Sequence, residues 1–224
     1  MKRYIENIKN VNLFSTLKED ELEVISRILY IKDYQKGHLV FQEGEKGDSL
    51  YVVLKGNVKV SLYDESGKEY ILDIIGKGAF FGELSLIDEL PRSANVITIE
   101  DSEFLVIKRN DFIKLLMENP PITVSILRTL SRRLRAADER IKGLAFLSVE
   151  NRILKYLIDV GEKSGVRVKD YMVIEKGPAQ VEIASSCGCS RETVSRMLKS
   201  LVQKGLVNVR KRQYTLLHPV YASF

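Results

Sequence analysis

Residues 120–144 constrain the fold of this 224-residue chain more than any other stretch. After Pro120 and Pro121, the residues Leu127, Leu130, Leu134, Ala137, Ile141 and Leu144 recur at steps of three, four, three, four and three. That spacing is the a/d seam of a long helix. Arg132, Arg133, Arg135, Asp138, Glu139, Arg140 and Lys142 fill the other faces, so the apolar stripe is narrow and suits a second helix of its own kind. A parallel homodimer is therefore expected. A single helix packed on its own domain is the other arrangement the pattern allows.

The chain before this helix follows a different period. Leu50 to Leu54, Val58 to Tyr63 and Tyr70 to Ile75 are short, β-branched or aromatic, and partly alternating, which reads as strands. Eight of the fourteen glycines fall between Gly37 and Gly82, and Asp64 to Lys68 has the composition of a hairpin loop. An antiparallel roll or barrel is expected here.

Within it, the run Phe80 to Val96, FFGELSLIDELPRSANV, carries chemistry. Gly82 can take backbone conformations closed to other residues, and Glu83 to Ile87 has the length of one helical turn whose free N–H groups attract an anion. Pro91 fixes the turn ahead of Arg92 and Ser93, whose guanidinium and hydroxyl can both hold a phosphodiester. Glu83 accepts hydrogen bonds only, which suits a sugar hydroxyl beside that phosphate. On chemistry alone the same residues also fit a glycine-marked turn with a surface Glu–Arg pair.

In order and spacing, G-E-L-S-L followed by P-R-S-A resembles the phosphate-binding cassette of cyclic-nucleotide-binding domains, and FQEGEKGDSLYVVLKGNVKV resembles the same family. The resemblance implies that Glu83 binds the ribose 2′-hydroxyl and Arg92 the single charge of the cyclic phosphate. Gly82, Leu84, Ser93 and Ala94 would line the phosphate through backbone or hydroxyl groups.

After the long helix, Val149 to Val160 reads as an amphipathic helix followed by a loop, Gly161 to Gly165. Ala179 to Ser186 reads as a helix, Cys187-Gly188-Cys189 as a tight turn, and Ser190 as the N-cap of a helix from Arg191 to about Lys204. This is a helix-turn-helix pattern. Ile183, Val194, Leu198 and Leu201 would pack the two helices, leaving Arg191, Glu192, Ser195 and Arg196 outward at the end that enters a major groove. Arginine bonds guanine O6 and N7, and glutamate accepts from cytosine N4, so Arg191, Glu192 and Arg196 form a base-reading set. A solvated charged face is the plainer alternative.

CGCSRETVSRMLKSLVQKGLV resembles the recognition segment of the CRP/FNR family of bacterial regulators, and LAFLSVENRIL resembles the same family's hinge. The resemblance spans almost the whole chain. It implies an α+β protein: an N-terminal antiparallel β-roll of the cyclic-nucleotide-binding kind over residues 1–119, a long dimerisation helix and hinge over 120–147, and a C-terminal winged helix-turn-helix domain over 148–224. Ser190, Arg191, Glu192, Ser195, Arg196 and Lys199 would face DNA, and Val207 to Leu217 would form the wing. RNA polymerase is a further partner implied by the resemblance.

Charge is divided accordingly. Residues 148–224 hold 13 Lys/Arg against 7 Asp/Glu, a net of +6, while residues 1–147 hold 22 against 23, a net of −1. Arg210, Lys211 and Arg212 crowd the expected wing tip, where phosphate contacts position a domain without reading sequence. The region lacks the strongly apolar face that a basic membrane-binding surface needs. No apolar run reaches the roughly 18 residues of a membrane span, and Met1 to Asn10 lacks an export signal, so a cytoplasmic location is expected.

Cys187 and Cys189 are too close for an ordinary disulfide and too few for a four-ligand metal site, which leaves packing as their role. His38 and His218 are isolated, a surface strand residue and a tail residue, so neither haem nor a metal is expected, and no N-terminal cysteine cluster is present for an iron–sulfur centre. No nucleophile–base pair, metal-ligand cluster or P-loop points to catalysis, so the chain is not read as an enzyme. The expected effector is a cyclic nucleotide. Where the cyclic-AMP receptor pattern has Thr-Ser on the long helix, this chain has Ala137-Asp138. Asp138 would accept from adenine's amine or from guanine's N1–H and N2–H, or would merely pair with Arg135 or Lys142 on the helix surface, so cAMP is the first expectation and cGMP the second. The other reading is a DNA-binding regulator with a vestigial cassette or another effector.

Overall fold

Short β-branched and aromatic segments pair into sheets because such side chains pack well on a pleated surface. The computed structural model describes residues 14, 22 and 25–217. In chain order these include β1 (Leu29–Tyr34), β2 (Leu39–Phe41), β3 (Ser49–Lys55), β4 (Val58–Tyr63), β5 (Glu69–Ile75), β6 (Phe80–Phe81), α1 (Leu84–Ile87), β7 (Asn95–Thr98) and β8 (Ser102–Lys108). They continue with α2 (Arg109–Glu118), α3 (Pro120–Phe146), α4 (Val149–Ser164), β9 (Val166–Val168), β10 (Tyr171–Ile174), α5 (Gln180–Cys187), α6 (Arg191–Gln203), β11 (Val207–Arg210) and β12 (Gln213–Leu217). His218 and Met1 to Asn10 lie outside the described residues. Two compact units result: Ile71–Leu134 with the chain up to Asp64, and Arg135 onward with Glu65–Tyr70.

The first unit holds two four-stranded sheets, ordered β1-β8-β3-β6 and β2-β7-β4-β5. β8 pairs antiparallel with both β1 and β3, and the period of two then sorts its side chains. Leu105 and Ile107 of β8, with Leu50 and Val52 of β3, join Phe112, Leu115, Ile122 and Ile126 in one buried cluster. Phe104 and Val106, with Tyr51 and Val53, join Phe41, Phe81 and Val96 in another inside the roll. Burying each such side chain stabilises by about 1.5–3 kcal/mol. The three expected strands are present as β3, β4 and β5, and β1, β2 and β6 to β8 join them. His38 is exposed beside the first residue of β2, its ring 4.8 Å from that of Tyr34.

The long helix is continuous over 27 residues. Ile122 and Ile126, on a row offset from the a/d seam, are buried in the first unit's core, and Leu130 packs against it. Elsewhere along the seam, Leu127, Leu134, Ile141 and Leu144 are 57%, 65%, 62% and 46% exposed among the described residues.

In the second unit α4, α5 and α6 pack on a sheet ordered β11-β12-β10-β9. Ser148 caps α4 by accepting from Asn151 N–H at 3.2 Å. The expected loop from Gly161 to Gly165 is instead the last turn of α4, which ends at Ser164. Gly161 is there for packing, since a Cβ on it would lie 2.6 Å from Met172 Sδ. The glycine admits β10 against the helix rather than breaking it. α5 closes on Gly188 at φ +63°, with Cys189 N–H donating to Ala184 O at 3.1 Å, a left-handed helix end that sets the turn into α6.

Candidate ligand seat and nucleic-acid interface

Gly82 sits at φ +81°, in the left-handed region. A Cβ added there would lie 2.7 Å from Arg92 Nη1, so both its backbone and its missing side chain matter. The backbone then enters α1, whose first residue follows Glu83 in helical conformation. Arg92 is 5% exposed. Its Nη1 donates to Gly82 O at 2.6 Å and to Ser85 Oγ at 2.8 Å, and its Nη2 to Ser49 O at 2.7 Å. The guanidinium lies over the Phe41 ring at 4.1 Å, a cation–π contact that helps an arginine leave water. Burial lowers its pKa from the ordinary value, with Tyr51, Asp48 and Glu83 acting in the opposite direction.

Glu83 is 2% exposed, and its ion pair is with Arg133 of α3, whose Nη1 donates to Glu83 Oε1 at 2.7 Å. Arg133 also donates through Nη2 to Phe80 O and lies over the Phe80 ring at 5.1 Å. A surface Glu–Arg pair is thus excluded, because both cassette residues are buried. Ala94 is buried, Ser93 and Leu84 are exposed, and Gly82 is half-buried at the turn. Ala137 is half-buried and Asp138 exposed, both on α3 beyond Leu134 in the second unit. The nearby Lys142 donates to Glu139 at 2.7 Å.

Arg133, Ser49, Ser85 and Phe41 were not legible as site residues. Arg133 stands in a row of arginines, and only the packing of α3 on the roll separates it from Arg132 and Arg135. Ser49 contributes a carbonyl, which no residue type signals.

The second surface is built by α5 and α6. Ser190 caps α6 by accepting from Thr193 N–H at 3.1 Å, and Ile183, Val194, Leu198 and Leu201 are buried between the helices as expected. Arg191, Glu192, Arg196 and Lys199 are exposed on one face, with Ser195 half-buried among them. Backbone and Ser190 hydrogen bonds lower the Glu192 pKa, favouring its carboxylate form. β11 and β12 pair from Val207 opposite Leu216 to Arg210 opposite Gln213, the expected wing. Lys211 at its tip adopts φ +56°, and Arg210, Lys211 and Arg212 are all exposed. Arg212 also bonds within its own unit: Nε donates to Gly177 O at 2.9 Å and Nη2 lies 3.6 Å from Glu182. Cys187 and Cys189 are buried thiols in the helix-turn-helix turn. Among the described residues no His/Cys/Asp/Glu group suits a metal ion, and no helix is long and apolar enough to cross a membrane.

Comparison with known proteins matches both halves of the chain. The family profile described as "Cyclic nucleotide-binding domain" covers residues 31–119, and that of the "Crp-like helix-turn-helix domain" covers residues 151–220. The cAMP-activated global transcriptional regulator CRP of Salmonella typhimurium is 36% identical over 80% of this chain and 85% of its own length. The cyclic AMP receptor protein of Thermus thermophilus is 32% identical over 90% of each chain. Among solved structures, the c-di-GMP responsive global regulator CLP of Xanthomonas campestris superposes with a TM-score of 0.78 at 26% identity, covering 89% of this chain and 99% of that one.

Proposed function

The chain belongs to the CRP/FNR family of transcription regulators, with a cyclic-nucleotide-binding domain and a Crp-like helix-turn-helix, and from this membership we propose that it is a cytoplasmic, homodimeric regulator gated by a cyclic nucleotide. The observation that carries the reading is the pair of buried, oppositely charged groups that follow Gly82: Glu83 at 2% and Arg92 at 5% exposure. Each has protein partners, Glu83 in Arg133 and Arg92 in Gly82, Ser85 and Ser49, yet the carboxylate keeps acceptor capacity and the guanidinium keeps N–H groups to spare, and a ribose joined to a phosphate monoanion matches both at once.

Arg92 has five N–H groups and gives three to Gly82, Ser85 and Ser49, so at most two remain for a phosphate oxygen. One guanidinium balances one charge, which favours a cyclic phosphodiester over a phosphate monoester. Glu83, Leu84, Ser93 and Ala94 complete the seat, and Ala137 and Asp138 are the residues of the long helix proposed to face the base. Cyclic AMP is the first candidate, from the relatives' names, and cyclic GMP the second, from the acceptor chemistry of Asp138.

The exposed seam of α3 is the surface along which two copies would meet. Each α6 would then enter a major groove, with half-sites about 34 Å apart on a palindromic operator. Arg191, Glu192 and Arg196 would read bases, with Ser190, Ser195 and Lys199 beside them. Arg210, Lys211 and Arg212 would hold phosphates, and Arg212 would also brace the wing through Gly177 O. RNA polymerase is the further partner proposed on family grounds. The effector must bind the DNA-competent state more tightly than the other, with typical coupling of about 1–3 kcal/mol, and DNA must tighten effector binding equally.

The test is calorimetric titration of the stripped protein with cyclic AMP and cyclic GMP, repeated with operator DNA present. Saturable binding strengthened by DNA is the expected result; operator affinity indifferent to either nucleotide overturns it. The same three protein bonds on Arg92 favour a second reading, in which the guanidinium is structural and the regulator answers another effector or none. That reading predicts operator affinity unaffected by both nucleotides.

A further inference from the structure

The cassette leaves α1 through a strained turn. Glu89 lies at φ +62°, a region that a residue with a Cβ enters only when its surroundings hold it there. Asp88 Oδ1 accepts from Leu90 N–H at 3.0 Å, and Pro91 follows, so the turn delivers Arg92 with little freedom of its own. The Glu89 carboxylate is ion-paired with Arg109 Nη2. Arg109 Nε donates to Leu86 O, in α1, at 3.3 Å. Its backbone N–H donates to Asp48 O at 2.8 Å. The Asp48 carboxylate is held by Lys108 Nζ at 2.6 Å and Ser49 Oγ at 2.8 Å, and Ser49 O receives Arg92 Nη2.

Arg109, the first residue of α2, is therefore bonded at once to α1, to the strained residue after it, and to the segment whose carbonyl fixes Arg92. We propose that Arg109 is a positioning residue of the effector seat, holding Glu89 in its left-handed turn so that Arg92 is presented to a phosphodiester monoanion. Without the pair, Glu89 relaxes toward negative φ, and the Pro91–Arg92 segment rotates with it. The inference rests on the nucleotide-binding reading above.

Arg109→Ala and Glu89→Gly separate positioning from plain stability. Glycine accepts φ +62° without strain, so Glu89→Gly should melt no lower than the unchanged protein, whereas a surface ion pair alone contributes little to stability. Arg109→Ala should nonetheless bind cyclic AMP about fivefold more weakly in calorimetry, the scale of a lost exposed ion pair with its charge-assisted hydrogen bond. Glu89→Gly, which holds the turn without the pair, should bind at nearly full strength, and adding it to Arg109→Ala should recover binding. Non-specific DNA affinity should be unchanged. If Arg109→Ala does not fold, Arg109→Gln, which keeps the stem and loses the charge, carries the test. Full-strength binding by the Arg109 variant, or no recovery in the double variant, overturns this inference alone, while absence of binding by the unchanged protein overturns it together with the reading it rests on.

Discussion

Arg133 reaches from the long helix to Glu83 in the cassette, 2.7 Å from nitrogen to oxygen, although fifty residues separate them in the chain. The helix and the proposed effector seat of the first unit are thus joined by a charge pair in which the carboxylate is almost fully buried and the guanidinium about one-third exposed.

Removing Arg133 leaves that carboxylate buried beside Phe80 without its cation. Arg133→Ala is expected to destabilise the first unit by about 2 kcal/mol, the cost of leaving a buried polar group without its partner. Urea denaturation monitored by Tyr fluorescence measures it. Arg132→Ala, one residue away on an exposed position, should change stability by less than about 0.5 kcal/mol.

Arg92→Ala removes the proposed phosphate ligand and three internal hydrogen bonds together. Nucleotide binding should disappear from calorimetry, and the first unit should lose about 1–3 kcal/mol because Ser85 Oγ and the carbonyls of Gly82 and Ser49 lose their donor. The α6 surface should retain its affinity for random DNA. At 5% exposure, Arg92 is placed to serve the fold as well as the proposed seat.

On the DNA side, Arg196→Ala should cost about 1–3 kcal/mol on the operator and relax one base position. Lys211→Gly should weaken operator and random DNA alike and lower the salt slope by about one. Because Lys211 already sits at φ +56°, glycine should leave thermal stability near that of the unchanged protein. Fluorescence anisotropy over a salt series distinguishes the two variants.

Burial pushes the Cys187 thiol up from 9.0 to about 12, and raises Cys189 as well. The folded state keeps the proton that the unfolded chain releases near pH 9. Stability contributed by the protonated thiol is therefore complete below pH 9 and declines as pH rises toward about 12. Iodoacetamide at neutral pH should label neither cysteine until the second unit is unfolded, as mass spectrometry across a urea series would record.

The cassette and the helix-turn-helix were legible because their geometry follows from residue type: a glycine that must take φ above zero, a proline that fixes the turn before Arg92, and a serine that caps α6. Residues whose role depends on the distant part of the chain they meet were not. Gly161 has the composition of a loop, and only the approach of Met172 keeps it inside α4. Arg109 looks like any helix-start cation until Glu89 turns toward it. The a/d seam was read correctly as apolar, yet the residues of α3 buried in the roll are Ile122 and Ile126, on a neighbouring row.

Gly82 also narrows how such a regulator can change its diet of signals. Any side chain at that position meets Arg92 Nη1 at 2.7 Å and a backbone angle it cannot hold comfortably, so every codon change that alters the residue damages the seat at the first step. Positions around it carry no such double bar: Ser93 and Leu84 are exposed and can drift one substitution at a time. Variation in effector choice should therefore accumulate at the rim of the seat while its glycine floor stays as it is.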